Sequence, residues 1–333
     1  MRIPKKLIND PSKVAKEQLE GLIAANHGRI QAIGDKGAVC VNPLPSPQVA
    51  IVTGGGSGHE PMFAGYLGPG LATAAACGDI FAAPPPGVIL DAAQAADQGK
   101  GVLFVYGNYA GDNMNFDIAA ELADDEDIET QTIRIWDDVA SAPLSKIKER
   151  RGVAGDLFVL KIAGAAAAQG KSLGQVTEIT AHARDCTRSV GVALSAGSIP
   201  QTGKYNFELP DDELEYGMGL HGEPGVSREK MASADTVVEQ LLDRIIEDLP
   251  FVAGDKVCLL INNLGSSTVM ELLIANRKVH SYLESKNIEV HDTLIGSYCT
   301  SQEMAGYSIS LLKLDDTLTP LYDAPCHSFA LRK

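Results

Sequence analysis

An α/β fold in two domains, the first around a mainly parallel sheet and the second smaller, is what this sequence predicts. Three observations carry the prediction. Strand-like and helix-like segments alternate along most of the chain, the pattern of a sheet covered by helices. Gly101 to Tyr106 is apolar at nearly every position, as suits a strand buried on both faces of a parallel sheet. A length of 333 residues exceeds what one hydrophobic core usually organises. The expected division is 1–194 and 195–333.

The elements follow in order. Asp10-Pro11 supplies cap and first-turn preferences, Val14, Leu19, Leu22 and Ile23 form an apolar helical stripe, and Gly28 ends it. Strands are expected at Ala38 to Val41 and Val49 to Val52. An apolar stretch at Leu71 to Ala76 precedes Pro84-Pro85-Pro86-Gly87 and a helix over Val88 to Asp97. The strand Gly101 to Tyr106 opens into a polar loop, Gly107 to Asp112, followed by a helix over Asn115 to Ala123 and a strand over Thr130 to Trp136. Leu157 to Ala168 and Ser172 to Cys186 read as helices, and Val190 to Leu194 as a strand. A stretch rich in glycine and proline, Ala196 to Gly225, then separates the two domains. Irregular stretches of that length are uncommon inside compact domains and point to function. Beyond it lie a helix (Ser233 to Asp248), a strand (Val257 to Ile261), a helix (Ser267 to Leu283) and strands at Ile288 to His291 and Tyr307 to Leu314.

Composition removes whole classes of function. A net charge of −15 opposes binding to nucleic acid or anionic membranes, since either partner is a polyanion. The N-terminus, Met1 to Lys6, is basic but no apolar segment follows it, and no apolar run reaches membrane-spanning length, so a cytoplasmic chain is expected. The six cysteines (Cys40, Cys77, Cys186, Cys258, Cys299, Cys326) are scattered without a C-x-x-C pair, which predicts buried thiols and no metal site. The acidic run Asp124 to Asp127 reads as solvated surface.

Chemistry concentrates after strands. Thr53-Gly54-Gly55-Gly56-Ser57-Gly58-His59-Glu60-Pro61 follows directly on Val49 to Val52. Its glycines offer positive φ angles and bare backbone N–H groups to a ligand, and His59 titrates near neutral pH. Nucleotide templates fit badly. A Walker loop needs Lys where His59 stands, and a dinucleotide fingerprint needs a small residue where Pro61 stands. A zinc-protease motif needs His where Phe63 stands. In open α/β sheets ligands bind beyond the carboxyl ends of strands. Neighbouring strands would therefore bring His59 and Asp112 to one place, a pairing suited to removing a proton from a hydroxyl. The plainer readings are a turn histidine and a carboxylate at a helix start. A second imidazole, His221, lies in Gly217-Met218-Gly219-Leu220-His221-Gly222-Glu223-Pro224-Gly225. His221-Gly222-Glu223 opens like a zinc deaminase motif, but no P-C-x-x-C follows. An accessible imidazole there is a candidate nucleophile toward a carbonyl. His27, His182, His280, His291 and His327 lack such settings and read as core or surface residues.

Four motifs together resemble a known family. Gly54 to Pro61, Gly107-Asn108-Tyr109-Ala110-Gly111-Asp112 with Asn115-Phe116, Arg150-Arg151-Gly152-Val153-Ala154, and Leu220 to Gly225 are similar, in order and spacing, to the dihydroxyacetone kinase K subunit family across essentially the whole chain. The resemblance implies two α/β domains assembled as a homodimer. It implies that His221 adds through Nε2 to the ketone carbonyl as a hemiaminal. Gly56, Ser57, Gly58 and His59 would then line the substrate, with His59 a proton acceptor, and Asp112 would bind and help deprotonate a terminal hydroxyl. Members commonly carry lysine where this chain has Gly107, which leaves room for a larger ketose such as erythrulose. The resemblance also implies a separate nucleotide-binding L-type subunit holding ADP or ATP with Mg2+, and in bacteria a phosphotransferase-system protein that recharges it. No cofactor is expected on this chain. A ketose-binding regulator or coactivator on the same scaffold is the alternative.

Overall fold

The computed structural model describes residues 4–40 and 47–333. Val41, the end of one expected strand, lies outside them. The chain separates into two compact units, one comprising Lys6–Ile135, Asp156–Arg184 and Thr317–Lys333, the other built from Trp136–Gly155 and Asp185–Asp316. The chain thus passes between units several times, unlike the single cut near residue 195 that the sequence suggested.

In the first unit, α1 (Val14–Ala25) leads into β1 (Ile30–Ile33), β2 (Gly37–Cys40), β3 (Ala50–Ser57), β4 (Ala74–Ile80), α2 (Pro86–Ala96), β5 (Val102–Gly107), α3 (Ala110–Asp124) and β6 (Thr130–Ile135). After a passage through the other unit come α4 (Asp156–Ala168) and α5 (Leu173–Asp185). The sheet runs β1-β2-β4-β3-β5-β6. From β4 to β6 it is parallel, and the β1–β2 hairpin adds antiparallel strands at one edge. Every residue of β3 and β5 is buried, as the unbroken apolar run of β5 demands. Over one face Phe116 of α3 meets Tyr106 in a stack with 4.0 Å between centroids and Phe104 edge-on at 5.4 Å. Helix α4 is apolar around nearly its whole circumference and buried up to its last residue, which requires cover on every side. Its inward-facing Lys161 is satisfied by donating from Nζ to the Leu321 carbonyl at 2.8 Å.

The second unit holds β7 (Thr187–Ser195), the short pair β8 (Ser198–Ile199) and β9 (Lys204–Tyr205), β10 (Glu213–Tyr216), β11 (Ser227–Lys230), α6 (Ala234–Asp248), β12 (Lys256–Asn263), α7 (Val269–Ser285), β13 (Glu289–Gly296) and β14 (Ala305–Leu314). Its main sheet also has six strands, ordered β11-β10-β7-β14-β12-β13, of which only β12 and β13 pair in parallel. The chain then returns to the first unit through α8 (Leu318–Asp323). Helices α6 and α7 pack on the sheet through Val238, Leu241, Leu242, Ile245, Leu272 and Val279. Their starts are chemically fixed. Ser233 caps α6 by accepting from the Thr236 N–H, and Thr268 with Glu271 forms a complete capping box on α7. Within the Arg150-Arg151 motif, Arg150 is structural. It is 1% exposed and grips Asp248 at 2.8 and 2.5 Å, while Arg188 reaches the same carboxylate at 2.5 Å. Burial opposes the Asp248 charge, but the two guanidiniums hold its pKa below the ordinary value.

The glycine run departs from expectation. Strand β3 continues through Gly54, Gly55 and Gly56, and of the run only Gly58 has positive φ, at 105°. These glycines serve close approach within the sheet. A Cβ on Gly54 would lie 2.5 Å from the Ala76 oxygen, one on Gly55 would enter the Phe63 ring, and one on Gly56 would lie 2.7 Å from the Ala82 nitrogen. Gly54→Ala is therefore expected to destabilise the protein by about 1–3 kcal/mol through overpacking. A urea titration should show a lower midpoint with unchanged slope.

Candidate functional site

The residues that the sequence singles out fall in both units, His59 and Asp112 in one and His221 in the other. In the first, parallel pairing of Ala50–Val52 with Val102–Phe104 makes β3 and β5 neighbours, so both strands run toward the same edge of the sheet. His59 follows the end of β3, is 3% exposed and stacks on Phe81 with 4.9 Å between centroids. The turn that carries it is tied down locally. Both oxygens of the Glu60 carboxylate accept from the Gly58 N–H at 3.0 Å, and Phe81 N donates to the Ser57 carbonyl at 2.8 Å. Burial raises the Glu60 pKa, partly offset by those backbone donors. The Ser57 hydroxyl is buried and donates to the Gly78 carbonyl at 2.7 Å. The space beyond the Gly56 Cα is filled by Phe81–Ala82 backbone.

Asp112 lies in the first turn of α3, which starts at Ala110, earlier than the sequence suggested. Tyr109 is the N-cap and makes no side-chain cap bond, so Asp112 is not the capping residue. A carboxylate in this turn sits at the positive end of the helix dipole. Its charge reaches Tyr106 on β5. There burial is the main cause of a phenol pushed up to about 12, Arg134 acts against it, and Asp112 adds to it. The Phe81–Pro84 segment spans the distance between His59 and α3. Phe81 stacks on His59, the Pro84 carbonyl accepts from Asn115 Nδ2 at 2.9 Å, and the Ala83 methyl lies 3.4 Å from where a Gly111 Cβ would stand. Gly107 ends β5 in register with Ile135 of β6 and is buried.

In the second unit, His221 lies in the loop between β10 and β11. Its side chain is 27% exposed, enough for a small molecule to reach it. Glu223 holds it twice, accepting from the His221 N–H at 2.9 Å and facing Nδ1 at 2.9 Å. Gly222, at φ 87°, makes the turn that folds Glu223 back. The loop is also pinned from outside. Asn206 Nδ2 donates to the His221 carbonyl at 3.1 Å and Ser301 Oγ donates to the Leu220 carbonyl. Burial pushes the Glu223 pKa upward, but the hydrogen bond and charge of His221, with Arg151 Nη1 3.9 Å away, outweigh it and bring the pKa to about 2. An ionised carboxylate only accepts hydrogen bonds, so the His221 Nδ1 that faces it bears a proton, and in the neutral ring the lone pair then falls on Nε2.

Among the described residues there is no group of His, Cys, Asp and Glu able to hold a metal ion, and no helix is long and apolar enough to cross a membrane. Residues 20–330 match the Dak1 domain. The chain belongs to the Dak1 family. At 44% identity over 324 residues, covering 97% of each chain, this Dak1 chain is similar to the PTS-dependent dihydroxyacetone kinase 2, dihydroxyacetone-binding subunit DhaK, of Listeria innocua. It is 38% identical to the L-erythrulose kinase of Pectobacterium atrosepticum, a match that covers 98% of this chain and 56% of that protein. Among solved structures, the dihydroxyacetone kinase operon co-activator Dha-DhaQ superposes with a TM-score of 0.89 at 30% identity, over 95% of this chain and 98% of that one.

Sequence reasoning named His221 in this Dak1 chain but assigned no role to Glu223, Arg151 or Asp138. The available signal was the acid two residues after a histidine in a glycine-rich stretch. The Glu223 contact has a pH consequence. Its folded pKa, about 2, lies below the unfolded value near 4.5. A depressed carboxylate contributes stability that is present above the unfolded pKa and lost as pH falls toward the folded one. The stability advantage of wild type over Glu223→Gln is therefore expected to shrink as pH falls from about 5 to about 2. Urea midpoints of the two proteins across that range check it, and a pH-independent difference would contradict it.

Proposed function

We propose that this Dak1 chain is the ketose-binding subunit of a dihydroxyacetone-type kinase and that His221 holds the ketone covalently. The Nε2 lone pair attacks the carbonyl carbon, a C–N bond forms, and the C=O π pair moves to oxygen, which takes a proton from solvent. The ring becomes a cation whose charge faces the Glu223 carboxylate, as a buried acid stabilises imidazolium in hydrolase triads. Covalent addition suits a ligand with little apolar surface and rejects polyols that lack a carbonyl. Asp112 binds the terminal hydroxyl and, with His59 as proton acceptor, activates it toward phosphorus. Gly56, Ser57, Gly58 and Gly107 line the ketose. Nucleotide, ADP or ATP with Mg2+, is carried by a separate L-type subunit, which a phosphotransferase-system phosphocarrier recharges. The subunit works as a cytoplasmic homodimer.

The observation that carries the reading is the Glu223–His221 Nδ1 contact, which selects the tautomer that a carbonyl-directed nucleophile needs. High identity to a dihydroxyacetone-binding subunit over the full length supports the substrate class, and identity to an erythrulose kinase supports a four-carbon ketose at the wider Gly107 position. Likeness to a co-activator structure favours a second reading, a ketose sensor without turnover. The two separate in one assay. The purified chain is mixed with dihydroxyacetone or erythrulose, a nucleotide-loaded L-type subunit, Mg2+ and a phosphate donor, and phosphorylated ketose is measured. Product formation is expected, whereas ketose binding without product from any such partner would favour the sensor.

A further inference from the structure

The loop that presents His221 is built against a buried ion pair. Arg151 is largely buried, and its Nε and Nη2 both donate to Asp138 Oδ2, at 3.1 and 2.8 Å. The same Nη2 donates at 3.0 Å to the Gly217 carbonyl, where the loop begins. The backbones are tied as well, since Asp138 N donates to the Arg151 carbonyl and Arg151 N donates to Ser141 Oγ. Asp138 is 2% exposed and its second oxygen accepts from the Ala140 N–H at 3.0 Å. The guanidinium therefore has one fixed placement, and its remaining arm, Nη1, faces Glu223 Oε2 at 3.9 Å. Gly219 makes that approach possible. A Cβ there would fall 2.1 Å from Glu223 Oε2 and 2.4 Å from Arg151 Nη1.

We infer that Arg151, fixed by Asp138, is a positioning residue for His221: its Nη1 arm keeps Glu223 aimed, and Glu223 in turn keeps the proton on Nδ1 and the lone pair on Nε2. The inference rests on the reading of His221 as the ketone-binding nucleophile. Arg151 touches no reacting atom in this account. Its contribution passes through Glu223 alone, as the buried acid of a catalytic triad acts through its histidine.

The test reads the His221 ring directly, by ¹⁵N NMR of full-length protein labelled at histidine, together with ketone affinity by calorimetry. In wild type the Nδ1–H tautomer is expected. Arg151→Met should shift His221 toward the Nε2–H tautomer and weaken dihydroxyacetone binding by at least about tenfold, while Arg151→Lys, which keeps the charge, should retain the Nδ1–H form. Gly219→Ala pushes the two side chains apart without removing either, so it should repeat the Arg151→Met result even if that variant fails to fold. An unchanged tautomer and affinity in folded Arg151→Met or Gly219→Ala would overturn the inference, as would Arg151→Lys losing the tautomer as fully as Arg151→Met. If wild type bound no ketone at all, the nucleophile reading would fail while the tautomer readout still decided the role of Arg151.

Discussion

Replacing His221 by alanine is expected to abolish covalent retention of the ketone and to lower kcat/KM for phosphoryl transfer by at least about 10²-fold. The magnitude follows from what the side chain supplies. A short ketose has few groups to grip, so loss of the C–N bond removes both affinity and the alignment of the reacting hydroxyl. The fold should survive, because His221 is partly exposed and its backbone stays held by Asn206. Isothermal titration with dihydroxyacetone and a coupled kinase assay with an L-type partner check both parts. Unaltered ketone affinity in a folded His221→Ala protein would remove the imidazole from the role assigned to it.

Asp112→Asn should separate binding from turnover. The substitution keeps the shape of the side chain in the first turn of α3 but removes the carboxylate that helps His59 deprotonate the hydroxyl, so kcat is expected to fall about 10²–10⁴-fold, the range for losing general acid–base assistance. Covalent binding at His221 should persist, since that step uses another residue in the other unit. The expected pattern is a low kcat with a retained adduct. A variant that bound ketone weakly but turned over normally when saturated would reduce Asp112 to a binding contact.

Much of this was legible in the sequence, for identifiable reasons. The continuous apolar run of β5 announced a strand buried on both faces, and the polar segments after β3 and β5 marked the sheet end where ligands bind. The glycine run was read for the wrong property. Glycine permits positive φ and also permits close approach, and only the neighbours decide which is used. Here Ala76, the sheet partner of Gly54, together with Phe63 and Ala82, fills the space. The division near residue 195 missed that β7 pairs with β14, more than a hundred residues later, a contact no local pattern encodes. Glu223 stood in plain view beside His221, but its role depends on a turn at Gly222 that folds it back. Arg151 was noticed only as part of a motif, because Asp138 and Gly217 reach it from separate segments.

The central claim is a bond between His221 Nε2 and the carbonyl carbon of a ketose. Dihydroxyacetone enriched in ¹³C at its central carbon, bound to protein enriched in ¹⁵N at histidine, tests it most directly. A protein-bound tetrahedral carbon signal split by one-bond coupling to a histidine ¹⁵N, and absent from His221→Ala, is predicted. A bound ketose whose central carbon keeps its carbonyl resonance, or a tetrahedral carbon with no coupling to nitrogen, would contradict the account.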